Sequence, residues 1–416
     1  MSRPPAPAAV DLLAMAARIL FVYGQTTEST RRAVVRLGTA LRIRADLVLR
    51  WGEILLYTDD RAAPRIVRAD PSGIDMRKVA GALDVLRKVE LGRMDAAVAL
   101  AALRSIEQEP PVSPIRFVCL AAAGAVALGV IFGLSDLATA LVIALSAALG
   151  AWLRRGVARI SVNPLIGPFL AALSAGIVGV LAVGMRPDLD LRLILVCPCM
   201  VLVPGPHLLN GTIDLAVARI PLGAARVTFA GLIVLMICSG LLTGLALAGL
   251  DLPAAGPGTS VPFISDVGAA GVAVAAFGTF FNMPWRVLPI PIGIGMLAHG
   301  TRWLLMGWGA GPATGALAAS VVAGLAVTPL AARLKLPFAG FAFASVVSLV
   351  PGLYLFEAAA GLMGVIRQGG SSPVSLLVQA VADATTALLI VLGMTTGLVL
   401  PRLVMLRFFE PTQAEP

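Results

Sequence analysis

The stretch Val203-Pro204-Gly205-Pro206-His207-Leu208-Leu209-Asn210-Gly211-Thr212-Ile213-Asp214 is the most polar one flanked by apolar sequence on both sides. Two prolines two residues apart remove backbone donors and crowd the preceding turn, so a helix entering here is interrupted. A shift of 147 residues places Val203-Pro204-Gly205 on Val350-Pro351-Gly352. In the same register Leu202 and Leu208 fall on Leu349 and Leu355, and Arg155 falls on Arg302. The segment therefore has a counterpart late in the chain, and the architecture follows from what surrounds the two copies.

Ten apolar segments surround them, near 117–134, 137–153, 164–185, 193–209, 227–250, 267–285, 287–306, 312–330, 337–357 and 375–400. Several approach the roughly 20 residues that cross a bilayer core. The two copies lie in the fourth and ninth segments, so the repeat unit holds five spans. Five is odd, and the second unit then enters the membrane in the opposite sense, as an inverted repeat. The expected fold is an all-α polytopic membrane protein of ten helices arranged five plus five. Gly129-x-x-x-Gly133 and Gly240-x-x-x-Gly244 have the spacing of close helix contacts.

Composition agrees. The chain has 416 residues, 58% hydrophobic and 13% charged, against about 25% charged in a soluble domain. The charges crowd into residues 1–113, which hold 17 of the 32 Lys and Arg and 13 of the 23 Asp and Glu. That segment reads as a small α+β domain. Helices are expected at 10–23, 27–42, 74–90 and 94–108, and strands at Leu47–Tyr57 and Arg65–Arg68, divided by a turn at Asp59-Asp60. Glu109-Pro110-Pro111-Val112-Ser113-Pro114 closes it as a stiff linker. The domains expected are thus 1–113, a first membrane repeat at 114–250, and a second at 251–416 with a short tail.

Loop charge orients the chain. With residue 113 inside, the inner side collects Arg154, Arg155, Arg159, Arg219, Arg226, Arg286, Arg333, Lys335, Arg402 and Arg407. The outer side has Arg186, Arg192, Arg302 and Arg367, and the outer loop Asp251–Asp266 has no Lys or Arg. This bias puts both termini in the cytoplasm. The first twenty residues lack a signal peptide's apolar run and cleavage site, so internal spans would target the chain to the plasma membrane, the inner membrane of a bacterium.

Several residues are candidates for substrate binding. A helix broken at Pro204-Gly205 exposes free N–H groups at one stump, which suit a substrate carboxylate; Pro351 and Gly352 would do the same in the second unit. Asn210 and Asp214, four apart, share a helical face. Asp214 is read either as a ligand for an ammonium or a proton, or as a cap or partner of Arg219. Glu357 falls on Asn210 in the repeat register and is read either as a site residue or as the start of an outer loop. His207 borders the broken segment and could relay protons. Asp383 lies eight residues into the last span, where a carboxylate costs a few kcal/mol, so proton coupling is its functional reading and a structural hydrogen bond its alternative. His299 has no counterpart in the repeat.

Other chemistries find little support. Cys119, Cys197, Cys199 and Cys238 lie in apolar segments without zinc-ligand spacing and read as small buried hydrophobes. No metal or other cofactor is expected. The net charge of +9 forms no basic block interleaved with aromatics, so nucleic acid is not an expected partner. No G-x-x-x-x-G-K-[ST] motif is present to bind ATP.

The N-terminal helix with Gly24 and the helix after it, Pro204-Gly205 with Leu209-Asn210 and Asp214, Gly223-x-x-Arg226, and the late Val350-Pro351-Gly352 occur in a particular order. In this order of features the chain resembles the threonine/serine exporter family over nearly its whole length. The resemblance implies a cytosolic N-terminal domain, five spans, then five more, and export of threonine and serine driven by the proton-motive force. Some similar systems divide the halves between two chains and are associated with dicarboxylate export. The expected function is therefore secondary active export of small hydrophilic metabolites, threonine or serine first. A succinate-like dicarboxylate exporter is the alternative, and a membrane-anchored enzyme or sensor acting through the N-terminal domain is an alternative of another class. Partners would be the solute, protons and the lipid bilayer, with a homo-oligomer possible.

Overall fold

The computed structural model describes residues 7–58, 63–250, 261–334 and 338–409. The turn expected at Asp59-Asp60, most of the loop 251–266 and Lys335 lie outside them.

The N-terminal unit is built around α1 (Pro7–Val22), which packs on α2 (Thr27–Ala40), α3 (Met76–Glu90) and α4 (Ala96–Gln108). Its buried face carries Leu12, Leu13, Ile19, Leu20 and Phe21. Gly24 turns the chain at φ +98°, against Ile74. Thr26 then caps α2 by accepting the Ser29 N–H, with Glu28 in the first turn, where it complements the helix dipole. Asp75 and Asp95 cap α3 and α4 in the same way. Where one strand was expected at Leu47–Tyr57 there are two, β1 (Ala45–Arg50) and β2 (Gly52–Thr58), paired antiparallel. The cause is Gly52, whose φ of +91° reverses the chain at Trp51. β3 (Arg65–Ala69) pairs with β2, giving the order β1-β2-β3.

The ten apolar segments are all helical. α5 (Pro114–Ile131), α6 (Leu137–Ile160) and α7 (Ile166–Met185) precede a bent pair, α8 (Leu191–Met200) and α9 (Gly205–Ala216), and then α10 (Ile220–Ala246). α11 (Phe263–Phe280), α12 (Pro289–Gly307) and α13 (Pro312–Leu334) precede a second bent pair. That pair is α14 (Phe338–Val346) with a 3-10 turn at Val347–Leu349, and α15 (Gly352–Gln368); α16 (Val374–Phe409) follows. Both pairs bend by 58°. Among the described residues seven helices are long and apolar enough to cross a membrane, or nine with each bent pair taken as one span. The ten expected spans exceed this by α12, whose apolar run is diluted by His299 and Arg302.

The pairings in one half recur in the other: α5–α6 and α11–α12, α6–α7 and α12–α13, α7–α10 and α13–α16, α9–α10 and α15–α16. Small residues set the closest of them. A Cβ on Gly240 or Gly244 would lie 2.3 Å from Phe169 O or 2.8 Å from Leu173 O on α7, and one on Gly397 2.7 Å from Leu317 O on α13. Gly129 also sits in a contact, but Gly133 serves as a turn residue at φ +93° beyond the end of α5. Leu145, Trp152, Leu181, Leu235 and Leu388 point outward and stay exposed, as lipid-facing side chains do. Cys197, Cys199 and Cys238 are buried, whereas Cys119 is exposed on α5.

The N-terminal unit sits at one end of the helix bundle. Met76 N–H donates to Phe281 O and Asn282 Nδ2 to Asp75 Oδ2, both just after α11. Thr27 reaches Asp214 on α9, and Ser29 accepts from Arg402 on α16.

Candidate functional site

The first break opens because α8 carries Pro198 and stops at Met200, while α9 restarts at Gly205. The free N–H groups expected at the α9 stump are not there. Gly205 N–H donates to Val203 O, His207 and Leu208 N–H both donate to Pro204 O, and Pro206 has none. The turn around Pro204 consumes the donors that a straight stump would leave open. The second break lies against the first. A Cβ on Gly205 would meet the ring of Phe343 on α14 at 1.4 Å, and one on Gly352 would meet Cγ of Met200 on α8 at 2.6 Å. Each glycine thus admits a side chain from the other half.

A cavity of about 270 Å³ runs along the first break, walled by Pro204, Pro206 and His207, by Ile74 of the N-terminal unit and by Arg154 of α6. It shares Ile74, Arg154, Pro164, Pro168 and Phe280 with a wider space of about 640 Å³, which Arg155 and Asn282 also line. A small polar solute fits the inner cavity, and the wider space connects it to the end of the bundle that holds the N-terminal unit. His207 is buried with its ring edge-on to Phe229, 5.1 Å away.

Asn210 and Asp214 share a face of α9, but that face is turned into the N-terminal unit. Asn210 Nδ2 donates to Gly24 O at 3.2 Å. Asp214 Oδ2 accepts from Thr27 Oγ1 and from Arg226 Nη1, each at 2.9 Å, and Arg219 lies 3.7 Å from Oδ1. Asp214 is fully buried and Arg226 nearly so. A buried carboxylate survives when it is paired and hydrogen-bonded in this way. Gly223, one turn before Arg226, lets α10 approach α9: a Cβ there would lie 2.9 Å from Gly211 O. Arg219 also pairs with Glu28 of α2. Burial raises the Glu28 carboxyl, but the hydrogen bonds and charges of Arg219 and Arg32 outweigh it and hold the group below its ordinary value. Asp75 goes the other way: burial pushes it up, against the Lys78 N–H and Asn282.

A second polar cluster lies between α8, α11, α12, α15 and α16. Glu357, in the body of α15, pairs with Arg192 at the start of α8. Asp383 is buried on α16 and accepts from Gln379 Nε2 at 3.2 and 3.3 Å, one turn earlier; it is close enough to Glu357 and Tyr354 to act on both electrostatically. Tyr354 in turn feels Arg302, which is near Asp266. Asp266 Oδ2 lies 2.6 Å from His299 Nδ1.

The candidates thus divide three ways. Pro204, Gly205 and His207 line or adjoin the cavity, and Pro351 and Gly352 close against the same region. Asn210 and Asp214 join the contact with the N-terminal unit. Glu357 and Asp383 belong to the second cluster. The sequence reading missed Thr27, Arg154, Arg192, Asp266 and His299 as partners. For the last four the signal is only an ionisable side chain in an apolar helix, with Arg154 and Arg192 read as topology charges; Thr27, at the start of α2, carries no such signal.

A family profile described as threonine/serine exporter matches residues 11–248, more than half of the chain. A second, described as Threonine/Serine exporter, ThrE, matches residues 266–404. No curated protein and no solved structure matches the chain.

Proposed function

Because the chain belongs to the threonine/serine exporter family, we propose that it exports threonine, serine or a similar small solute across the inner membrane, by antiport with protons. The observation that carries this reading is the pair of 58° breaks at Val203-Pro204-Gly205 and Val350-Pro351-Gly352, packed against each other, with a cavity along the first. Secondary transporters bind solutes where discontinuous helices of two repeats meet near the bilayer midplane.

We read residues 114–250 and 251–416 as two inverted five-span repeats, and 1–113 as a cytoplasmic domain with both termini on its side. Support comes from helix direction. α10 starts at the N-terminal unit, where Arg219 pairs with Glu28, whereas its counterpart α16 ends there, where Arg402 meets Ser29. α5 likewise starts beside Asn282, where α11 ends. Counterparts that run opposite ways are what an inverted repeat requires. Solute would enter by the wide space beside the N-terminal domain, reach the first break, and leave past the second cluster, where Asp383 and its neighbours would handle the proton.

The test is reconstitution in liposomes with labelled threonine, serine and succinate, with and without a pH gradient. Threonine or serine flux that rises with the gradient is expected. Gradient-independent flux would remove the proton coupling, and flux of succinate alone would move the chain to dicarboxylate export.

A further inference from the structure

We propose that Arg154 is the receptor for the substrate's carboxylate in the cavity at the first helix break. The inference rests on the transport reading above and adds the group that holds the solute there.

An amino acid or a dicarboxylate must find a cation or free amides for its carboxylate when it leaves water. The α9 stump has no amide to give, since Gly205, His207 and Leu208 N–H are all bonded within the turn and Pro206 has none. Arg154 is a wall of the inner cavity, of the wider space and of a third, small void of about 10 Å³ behind them. Among the described residues it has no carboxylate partner and no hydrogen bond; its guanidinium lies over the ring of Phe280, 5.6 Å away. No Asp or Glu lines any of the three spaces. By contrast Arg155, its neighbour, donates to Val112 O and stacks on Phe117 at 4.2 Å. A partly buried guanidinium with no compensating partner in an apolar bundle is costly and marks a ligand path by default. Its planar fork can donate to both oxygens of a carboxylate at once.

A second buried group points to the same place. Ser146, about two turns earlier on α6, is almost wholly buried, lines the small void and has no hydrogen-bond partner for its Oγ. Its orphaned hydroxyl shares that small void with the Arg154 side chain, so unpartnered polar groups gather on this part of α6. The chemistry selected is a small solute bearing at least one carboxylate. With no acid in the walls, the ammonium of an amino acid would meet His207 or backbone carbonyls instead.

The bland reading of Arg154 is a topogenic charge at the end of a span. Arg159, just over one turn later and exposed, has that role without lining any of these spaces, and it is the control. The experiment compares wild type, Arg154→Gln, Arg154→Lys and Arg159→Gln, each checked for monodispersity and reconstituted in liposomes. Labelled L-threonine flux is measured from the face carrying the N-terminal domain. Stabilisation against heat is measured in parallel with L-threonine, succinate, and threoninol, which lacks the carboxylate. Arg154→Gln should raise the threonine KM at that face ten- to hundredfold, with Arg154→Lys between and Arg159→Gln unchanged. Threoninol should give the same weak stabilisation in wild type and Arg154→Gln. A KM within twofold of wild type in Arg154→Gln overturns the proposal and leaves the transport reading standing. If wild type moves neither threonine nor serine, that reading fails by itself. Loss of succinate stabilisation in Arg154→Gln then still supports the carboxylate receptor, and its retention overturns it. Should Arg154→Gln not fold, Arg154→Lys decides, since an ammonium keeps the charge but loses the fork: an unchanged KM there counts against the proposal.

Discussion

His299 Nδ1 lies 2.6 Å from Asp266 Oδ2 across the α11–α12 contact, with both side chains buried, and His299 Nε2 has no partner among the described residues. An acid and an imidazole in mutual contact can share one proton and release it to whatever reaches the free nitrogen. Removing one partner of a buried pair costs about 3–5 kcal/mol, because the other is left uncompensated. His299→Gln and Asp266→Asn should each lower the melting temperature, and the double variant should regain most of it through an amide–amide bond. If the pair also relays protons, gradient-driven transport should stay at least tenfold down in the double variant while solute exchange persists. Recovery of driven transport together with stability would make the pair purely structural.

Among the described residues one side chain, Gln379, hydrogen-bonds to Asp383, at 3.2 Å. Asp383→Asn preserves size and can still bond to that amide, so the protein should fold and melt near the wild-type temperature. Driven export should be lost and exchange without a gradient retained. Normal driven flux in this variant would remove Asp383 from the coupling.

Arg226 and Asp214 tie α9, α10 and the N-terminal unit together through Thr27. Arg226→Met should destabilise the protein by about 3–5 kcal/mol by stranding Asp214, and should expose the 109–113 linker to protease. Asp214→Asn should be milder, since Thr27 can still donate to the amide oxygen. A threonine KM raised in Asp214→Asn with the linker still protected would restore Asp214 as a substrate ligand.

Gly205→Ala places a Cβ inside the ring of Phe343, and overpacking of this kind costs about 1–3 kcal/mol. Phe343→Leu should recover part of the stability and flux. Gly352→Ala meets the flexible Met200 instead and should be the gentler change. Equal tolerance at both positions, read from thermal melts, would mean that the breaks do not press on each other.

Glu28 titrates below its ordinary value of 4.5 while it pairs with Arg219. A carboxyl lowered in this way stabilises docking above its unfolded pKa, and the contribution is lost as pH falls through the folded value. Hydrogen-exchange protection of α2, corrected for intrinsic rates, should be level from pH 8 to about 5 and drop below. Glu28→Gln should flatten this step. Asp75, raised by burial, has the opposite sign, since its ionisation becomes a cost as pH rises. A protection profile that falls toward alkaline pH would make Asp75 the governing group.

The sequence by itself determined the helical character of the apolar segments, both interruptions and the small N-terminal unit. Each of these depends on neighbours along the chain: apolar run length, prolines that remove donors, a capping threonine or aspartate before a helix. The features misread are local too: Gly52 turns the chain and splits the Leu47–Tyr57 run in two, Gly133 ends α5 with a turn, and the turn at Pro204 uses the amides of the α9 stump. What only the tertiary structure decided is the partner of each charge. Asp214 and Asn210 share a helical face in the sequence, yet which surface that face meets depends on how α9 rotates after a 58° bend. Asp266 and His299 lie 33 residues apart and meet only because α11 and α12 pack antiparallel. Arg154 and Arg155 are adjacent in the chain, but the 100° between successive helical residues sends one to the cavity and the other to Val112 O. Charge in an apolar helix announces that a partner or a ligand exists, and only the packing of the other helices says which.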